Sequence, residues 1–236
     1  MDTVLSAYTE QLAPAWRSVP GWLGGGEPNY TDEQRAAIEG YERALFAHMG
    51  DVKPRRFAHS ISVGLTAERI ARLFGVSCFE ARVAGILHDW AKVLSAREEI
   101  SRARALGIEL GVSLELVEPL LHGMVAAREL PARFPEVDSC VWQAIERHTL
   151  GAQDMSPLDM VVFVADGVEP LRPGASAIER QRALVRTTSL EDLFFACFTD
   201  GMAYVLATGR YLYPGTLDIY NSIALERAQA RERSRI

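Results

Sequence analysis

The chain has 236 residues, 48% of them hydrophobic and 24% charged, an ordinary balance for a globular protein and enough for one well-packed core. Lys and Arg number 25 against 31 Asp and Glu, a formal charge of -6, and no basic cluster follows a phosphate backbone, so a nucleic acid polymer is not an expected partner. The longest apolar runs, 160–165 and 193–198, fall far short of the roughly 20 residues that cross a bilayer, and no membrane partner is expected either.

Met1-Asp2-Thr3 has neither the basic start nor the apolar stretch of a signal peptide, and the expected location is cytoplasmic. Val4 to Leu12 has a helical pattern, and Gly24-Gly25-Gly26-Glu27-Pro28 reads as a loop. Residues 1–30 are therefore expected to form an N-terminal extension to a domain over 31–236, its core at about 38–225. Thr31 and Gln34 make a capping box, and Ile38, Tyr41, Leu45 and Phe46 continue a helix from about 32 to 49, stopped by Gly50. His48, near its end, reads as a structural residue whose cation faces the helix dipole.

A second helix opens at Pro54, carries His59 in its first turn, buries Phe57, Ile61, Leu65, Ile70 and Leu73, and stops at Gly75. Ser77 with Glu80 is a further capping box, opening a helix through Val83, Ile86, Leu87 and Trp90 with His88 and Asp89 near its carboxyl end. Helical spacing would put Lys92 on the same face as both. Ser95 begins a polar helix that ends near Gly107, and Pro119 opens another, which carries Leu120, Leu121, Met124 and Val125 and projects His122.

The stretch 137–148 is amphipathic and stopped by Thr149-Leu150-Gly151. Ser156-Pro157-Leu158-Asp159 then supplies an N-cap, a proline at the first helical position and an acid at the third, ahead of a run that is apolar except for Asp166. Helices at about 189–208 and 216–231 follow, and the aromatic loop Tyr211-Leu212-Tyr213-Pro214 between them reads as a connection rather than a pocket wall. No segment alternates with period two, so the fold class is all-α. Cys78, Cys140 and Cys197 form no Cys-x-x-Cys and read as core thiols.

Four of the five histidines, His59, His88, His122 and His148, fall on these helices together with Asp89 and Asp166. Imidazole and carboxylate donors suit iron, manganese, zinc, cobalt or nickel and disfavour thiolate-loving ions. Gaps of 29, 33, 26 and 18 residues put one donor, or one adjacent pair, on each successive helix, and a bundle can converge them on one interior point. Singly, a histidine on an apolar face is more often a satisfied core residue, and Lys92 a solvated helix-end charge. Asp166 is harder to explain as scenery, because a carboxylate beside Val161-Val162-Phe163-Val164-Ala165 is costly to bury unpaired. A cation such as Lys92 beside a metal is what phosphate oxygens require.

With these residues the chain resembles the HD-domain metal-dependent phosphohydrolases, and within them the symmetrical diadenosine tetraphosphate hydrolases of the YqeK family. The segments that carry the resemblance are 56–60, 85–92 with Gly85-Ile86-Leu87-His88-Asp89-Trp90-Ala91-Lys92, 120–123, 145–149 and 164–170. The resemblance implies an HD-type helical bundle in which His59, His88, Asp89 and Asp166 hold iron, as one ion or two, with manganese, nickel or cobalt as alternatives. It further implies that Lys92, His122, His148 and Thr149 meet the substrate phosphates, with His59 beside them, that His122 and His148 can join a second metal if the site is dinuclear, and that Asp89, Lys92, His122 and His148 serve catalysis. The implied reaction is hydrolysis of diadenosine tetraphosphate to two ADP. An HD nucleotidase acting on nucleoside or deoxynucleoside phosphates is one alternative, and a nucleotide-binding module without turnover is another. A homodimer stays open. The chain departs from the family at Trp90, where a tyrosine is usual, and at Gly123-Met124-Val125-Ala126, which replaces a proline-valine-glycine run.

Overall fold

The computed structural model describes residues 28–233 together with Leu23. The helix expected at Val4–Leu12 and the glycines of the following loop lie outside the described residues. Among those described there are ten α-helices and no strand: α1 Asp32–Leu45, α2 Pro54–Phe74, α3 Cys78–Leu87, α4 Ala96–Ala105, α5 His122–Arg133, α6 Ser139–Arg147, α7 Pro157–Val168, α8 Ser176–Leu184, α9 Leu190–Ala207 and α10 Pro214–Arg233.

Local chemistry sets most of these boundaries. The Thr31 and Gln34 side chains satisfy each other's backbone N–H groups at the start of α1. Ser95 with Glu98 and Ser156 with Asp159 do the same for α4 and α7. At α3 only half of the expected box forms: Ser77 accepts from the Glu80 N–H, but no return bond is made. Gly75 ends α2 at φ 70, a left-handed conformation that glycine adopts without a Cβ penalty.

The core is centred on α2, α3 and α7. α2 packs chiefly on α3 and α7, α6 lies against α3, α5 and α7, and α9 covers the far side of α7. Val161, Val162, Val164, Ala165 and Val168 of α7 are fully buried, which is why that helix reads as an almost unbroken apolar run. Two glycine contacts bring backbones together. A Cβ on Gly85 of α3 would lie 2.6 Å from the Gly64 Cα of α2, and one on Gly123 of α5 would lie 2.6 Å from the Ile145 carbonyl oxygen of α6. Only glycine permits either approach.

Several expectations are corrected. α1 gives way at Phe46–Gly50 to a π-helical turn, and His48 there is not a dipole-facing cation. Its ring stacks on Trp90 at 4.0 Å, its Nε2 lies 3.0 Å from the Trp90 carbonyl oxygen, and burial lowers its pKa. α3 stops at Leu87 and a separate 3₁₀ turn covers Trp90–Val93, so Lys92 does not share an α-helical face with His88 and Asp89. α5 begins at His122, after a 3₁₀ turn at Glu118–Leu120, rather than at Pro119. Leu73 is exposed in the last turn of α2, and Cys78 and Cys140 are half-buried in helix first turns, leaving only Cys197 as a core thiol. α8 had no sequence signal: Ala175 caps it without a side-chain bond and Gln181 is its only buried residue.

Candidate metal centre

Five elements deliver the expected residues to one interior point. His59 lies in the second turn of α2, one turn deeper than the sequence placed it. His88 caps α3 and Asp89 follows it in the bridge region of backbone space, at φ -96 and ψ 18. His122 is the first residue of α5, His148 caps α6, and Asp166 faces in from the last turn of α7. All four histidines and Asp89 are buried.

The orientation of each ring is fixed by its Nδ1. His88 Nδ1 donates to the Gly85 carbonyl at 2.7 Å, His122 Nδ1 to Pro119 at 3.1 Å and His148 Nδ1 to Ile145 at 2.6 Å. His59 Nδ1 donates to the Glu169 carboxylate at 3.0 Å. With a proton held on Nδ1, each ring turns its Nε2 toward the centre, as a bare lone pair in the three neutral rings of His88, His122 and His148. There the donors crowd. His122 Nε2 is 3.0 Å from His148 Nε2 and 3.2 Å from Asp89 Oδ1, while His59 Nε2 is 3.0 Å from Asp166 Oδ1. His88 Nε2 lies 3.6 Å from Asp89 Oδ1 and 3.8 Å from Asp166 Oδ1.

Lone pairs and carboxylate oxygens converging in this way repel one another unless a cation lies among them. The Nε2 atoms of His59 and His88 are buried without a hydrogen-bond partner, as ligand atoms awaiting a metal would be. Donors about 2.1 Å from one ion lie about 3.0 Å apart at right angles and about 3.4 Å apart at tetrahedral angles, the range of the three shortest of these separations, while those from His88 are a few tenths of an ångström longer. Two donor groups satisfy metal-binding proximity, His59 with His88 and Asp166, and His88 with Asp89 and His148, each with its atoms within 4.8 Å. His148 thus falls among the candidate ligands as well as on the substrate side.

Electrostatics agree with this arrangement. Burial drops the imidazoles of His122 and His148 to about 4 and lowers that of His88, so these rings are neutral near pH 7. His59 differs: burial opposes its protonation, but Asp166 and Glu169 outweigh it and lift the ring to about 9. Without a cation at the centre both its nitrogens are therefore protonated, and a bound metal would replace the proton on Nε2. Burial also works against the charges on Asp89 and Asp166. Both are nonetheless held well below the usual carboxylate range, Asp166 by the Arg172 guanidinium together with His59.

Three residues that the sequence did not single out complete the surroundings. Glu169, fully buried just past α7, accepts from His59, from Ser62 Oγ at 2.5 Å and from the Leu171 N–H at 2.7 Å. Arg56 pairs with Asp89 at 2.9 Å and Arg172 with Asp166 at 2.6 Å. Lys92 Nζ reaches the Pro119 carbonyl at 3.4 Å, the same oxygen that orients His122, and Thr149 Oγ1 lies 3.3 and 3.2 Å from the Nε2 atoms of His122 and His148. The 3₁₀ turn therefore brings Lys92 beside the centre by a route other than the helical face expected for it.

A buried cluster of imidazole and carboxylate donors, drawn from successive helices of an all-α bundle and rimmed by arginine and lysine, matches the HD domain family, whose pattern fits residues 56–171. The chain belongs to the HD-domain family. It is 32% identical over 181 residues to the symmetrical bis(5'-nucleosyl)-tetraphosphatase of Halalkalibacterium halodurans, covering 74% of this chain and 94% of that relative. The protein of the same name from Bacillus subtilis is 28% identical over 182 residues, covering 76% of this chain and 95% of its own. Among solved structures, a predicted HD superfamily hydrolase involved in NAD metabolism from Clostridium acetobutylicum superposes with a TM-score of 0.70 at 27% identity, covering 85% of this chain and all of that one.

Proposed function

We propose that the chain is a metal-dependent symmetrical bis(5'-nucleosyl)-tetraphosphatase that cleaves diadenosine tetraphosphate to two ADP. The observation that carries this reading is the convergence of four Nε2 atoms and two carboxylates on one buried point in a chain so similar to enzymes of that name. His59, His88, Asp89 and Asp166 would hold the ion, with iron as the proposed metal, and His148 would join a second ion if two bind. Bound there, the metal supplies Lewis acidity toward water and the attacked phosphoryl group.

The chain's own groups do the rest. Glu169 holds the His59 proton on Nδ1, and the backbone carbonyls of Gly85, Pro119 and Ile145 do the same for the other three rings. Lys92, Arg56 and Arg172 offer positive charge to a four-phosphate chain, and Thr149 offers a hydroxyl. A carboxylate oxygen of Asp89 or Asp166 accepts a hydrogen bond from the attacking water and lines it up with the central bridge. The departing ADP leaves as an anion whose charge the same cations offset. Residues 31–236 would form the catalytic unit and 1–30 an extension to it.

The deciding assay supplies diadenosine tetraphosphate to protein of measured iron content and separates the products by chromatography. ADP alone supports the reading. Paired ATP and AMP, or no turnover by iron-loaded protein, would refute it.

A further inference from the structure

Beside the centre, and sharing Thr149 with it, lies a cavity of about 200 Å³ between α7, α9 and the loop that joins α9 to α10. Its walls are mainly apolar and include the rings of Phe163, Phe198, Tyr211 and Tyr213. Sites for drug-sized ligands run from about 300 to 1,000 Å³, so this one is scaled for a single flat ring system and its sugar rather than for a whole dinucleotide. Tyr213 is held in place by its hydroxyl, which donates to the Leu110 carbonyl at 3.1 Å, and Phe163, Phe194 and Phe198 pack on one another with ring centroids 5.0 to 6.1 Å apart. The aromatic wall is therefore built before any ligand arrives.

Gly201 lines this cavity from within α9. Glycine is among the poorest helix formers, and here the backbone gives no reason for it: the conformation is helical and no atom lies within 4 Å of where a Cβ would stand. Gly85 and Gly123, at close helix contacts, have packing reasons. Gly201 has only open space where a Cβ would stand, and it lies in the cavity lining.

We propose that this cavity seats one nucleoside of the substrate, its base stacked on the aromatic wall, and that Gly201 keeps the entrance clear. The inference rests on the proposed nucleotide activity, since it takes the phosphates past Thr149 to the metal centre. Base-on-ring stacking tolerates any flat base, so the site reads the presence of a nucleoside more than its identity. It also makes the two ends of a symmetrical substrate unequal in the bound state, one enclosed here and the other running out over the rim near Lys92.

Equilibrium dialysis of radiolabelled adenosine against full-length protein tests the site apart from turnover. The wild type is expected to bind, and Gly201→Leu, which improves helix propensity and projects into the cavity, to bind at least tenfold more weakly. Val205→Trp, one helical turn further along, should act in the same direction if Gly201→Leu misfolds. In kinetics Gly201→Leu should raise KM for diadenosine tetraphosphate at least tenfold with unchanged metal content. Wild-type protein that binds no adenosine at millimolar concentration, or folded variants that match it, would overturn the proposal. Absence of diadenosine tetraphosphate hydrolysis with adenosine binding intact would instead refute the activity and leave the pocket standing.

Discussion

Glu169→Gln probes how the metal centre is held, because the substitution changes one atom and should reverse a histidine. In the wild type one carboxylate oxygen receives the His59 Nδ1–H, while the other receives both Ser62 Oγ–H and the Leu171 N–H. A glutamine has a single acceptor oxygen, and two donors outvote one, so its NH₂ turns toward His59. His59 must then accept at Nδ1 and carry its proton on Nε2, the atom that lies 3.0 Å from Asp166 at the centre. Loss of such an outer hydrogen bond commonly weakens metal affinity by about 10- to 100-fold, or about 1.4 to 2.8 kcal/mol. Titration of Fe²⁺ or Mn²⁺ against a competing chelator measures this. Ser62→Ala in the same background removes one of the outvoting donors and should recover part of the loss, a non-additivity that a simple packing defect would not give. Affinity in Glu169→Gln within twofold of wild type would refute the argument that the tautomer is set from Glu169.

His88→Ala and Asp89→Ala are expected to lose both bound metal and hydrolysis, whereas Lys92→Ala keeps its metal and loses about 10²- to 10³-fold in kcat, which elemental analysis and steady-state assays would separate. Glu99 is 2% exposed, and burial raises its carboxyl from 4.5 to about 7. Folding therefore favours its protonated form: the stabilisation is complete below about pH 4.5 and is lost as pH rises through about 7. Glu99→Gln should then be more stable than wild type at pH 8 by up to about 3 kcal/mol and equal to it near pH 4, and urea unfolding midpoints that shift alike at both pH values would contradict this. Gly85→Ala forces a Cβ to 2.6 Å from Gly64 and should destabilise the fold by about 1 to 3 kcal/mol while weakening metal binding, because it parts the helices that carry His59 and His88.

Helix starts were the most legible part of the fold, since the side chains of Thr31, Ser77 and Ser156 bond the exposed N–H groups of α1, α3 and α7 locally and need no tertiary information. The centre was legible in part because its donors are scarce residue types on successive helices. What stayed hidden depends on chain geometry or distant contacts. Nothing local told that the backbone leaves the α-helix between Leu87 and Trp90, and that turn alone decides how Lys92 reaches the centre. Glu169 and Arg172 follow the end of α7, where a charged residue ordinarily means a solvated connection, and their roles become visible only once α2 brings His59 and Ser62 against them. Arg56 had the ordinary profile of a helix first-turn cation until Asp89 met it. The aromatic loop at 211–214, read as a connection, also walls a cavity, because α9 carries it back over α7.

The two backbone contacts of Gly64 with Gly85 and of Gly123 with Ile145 have a consequence for how such a chain can change over time. They set the spacing of the ligand-bearing helices through main-chain atoms, which every residue shares, rather than through the shapes of particular side chains. Leu, Ile, Val and Met elsewhere in the core can be exchanged at modest cost while volume is kept, and the distance from His59 to His88 need not follow. The interior is thus free to drift over most of its surface, with a few glycines as its fixed points.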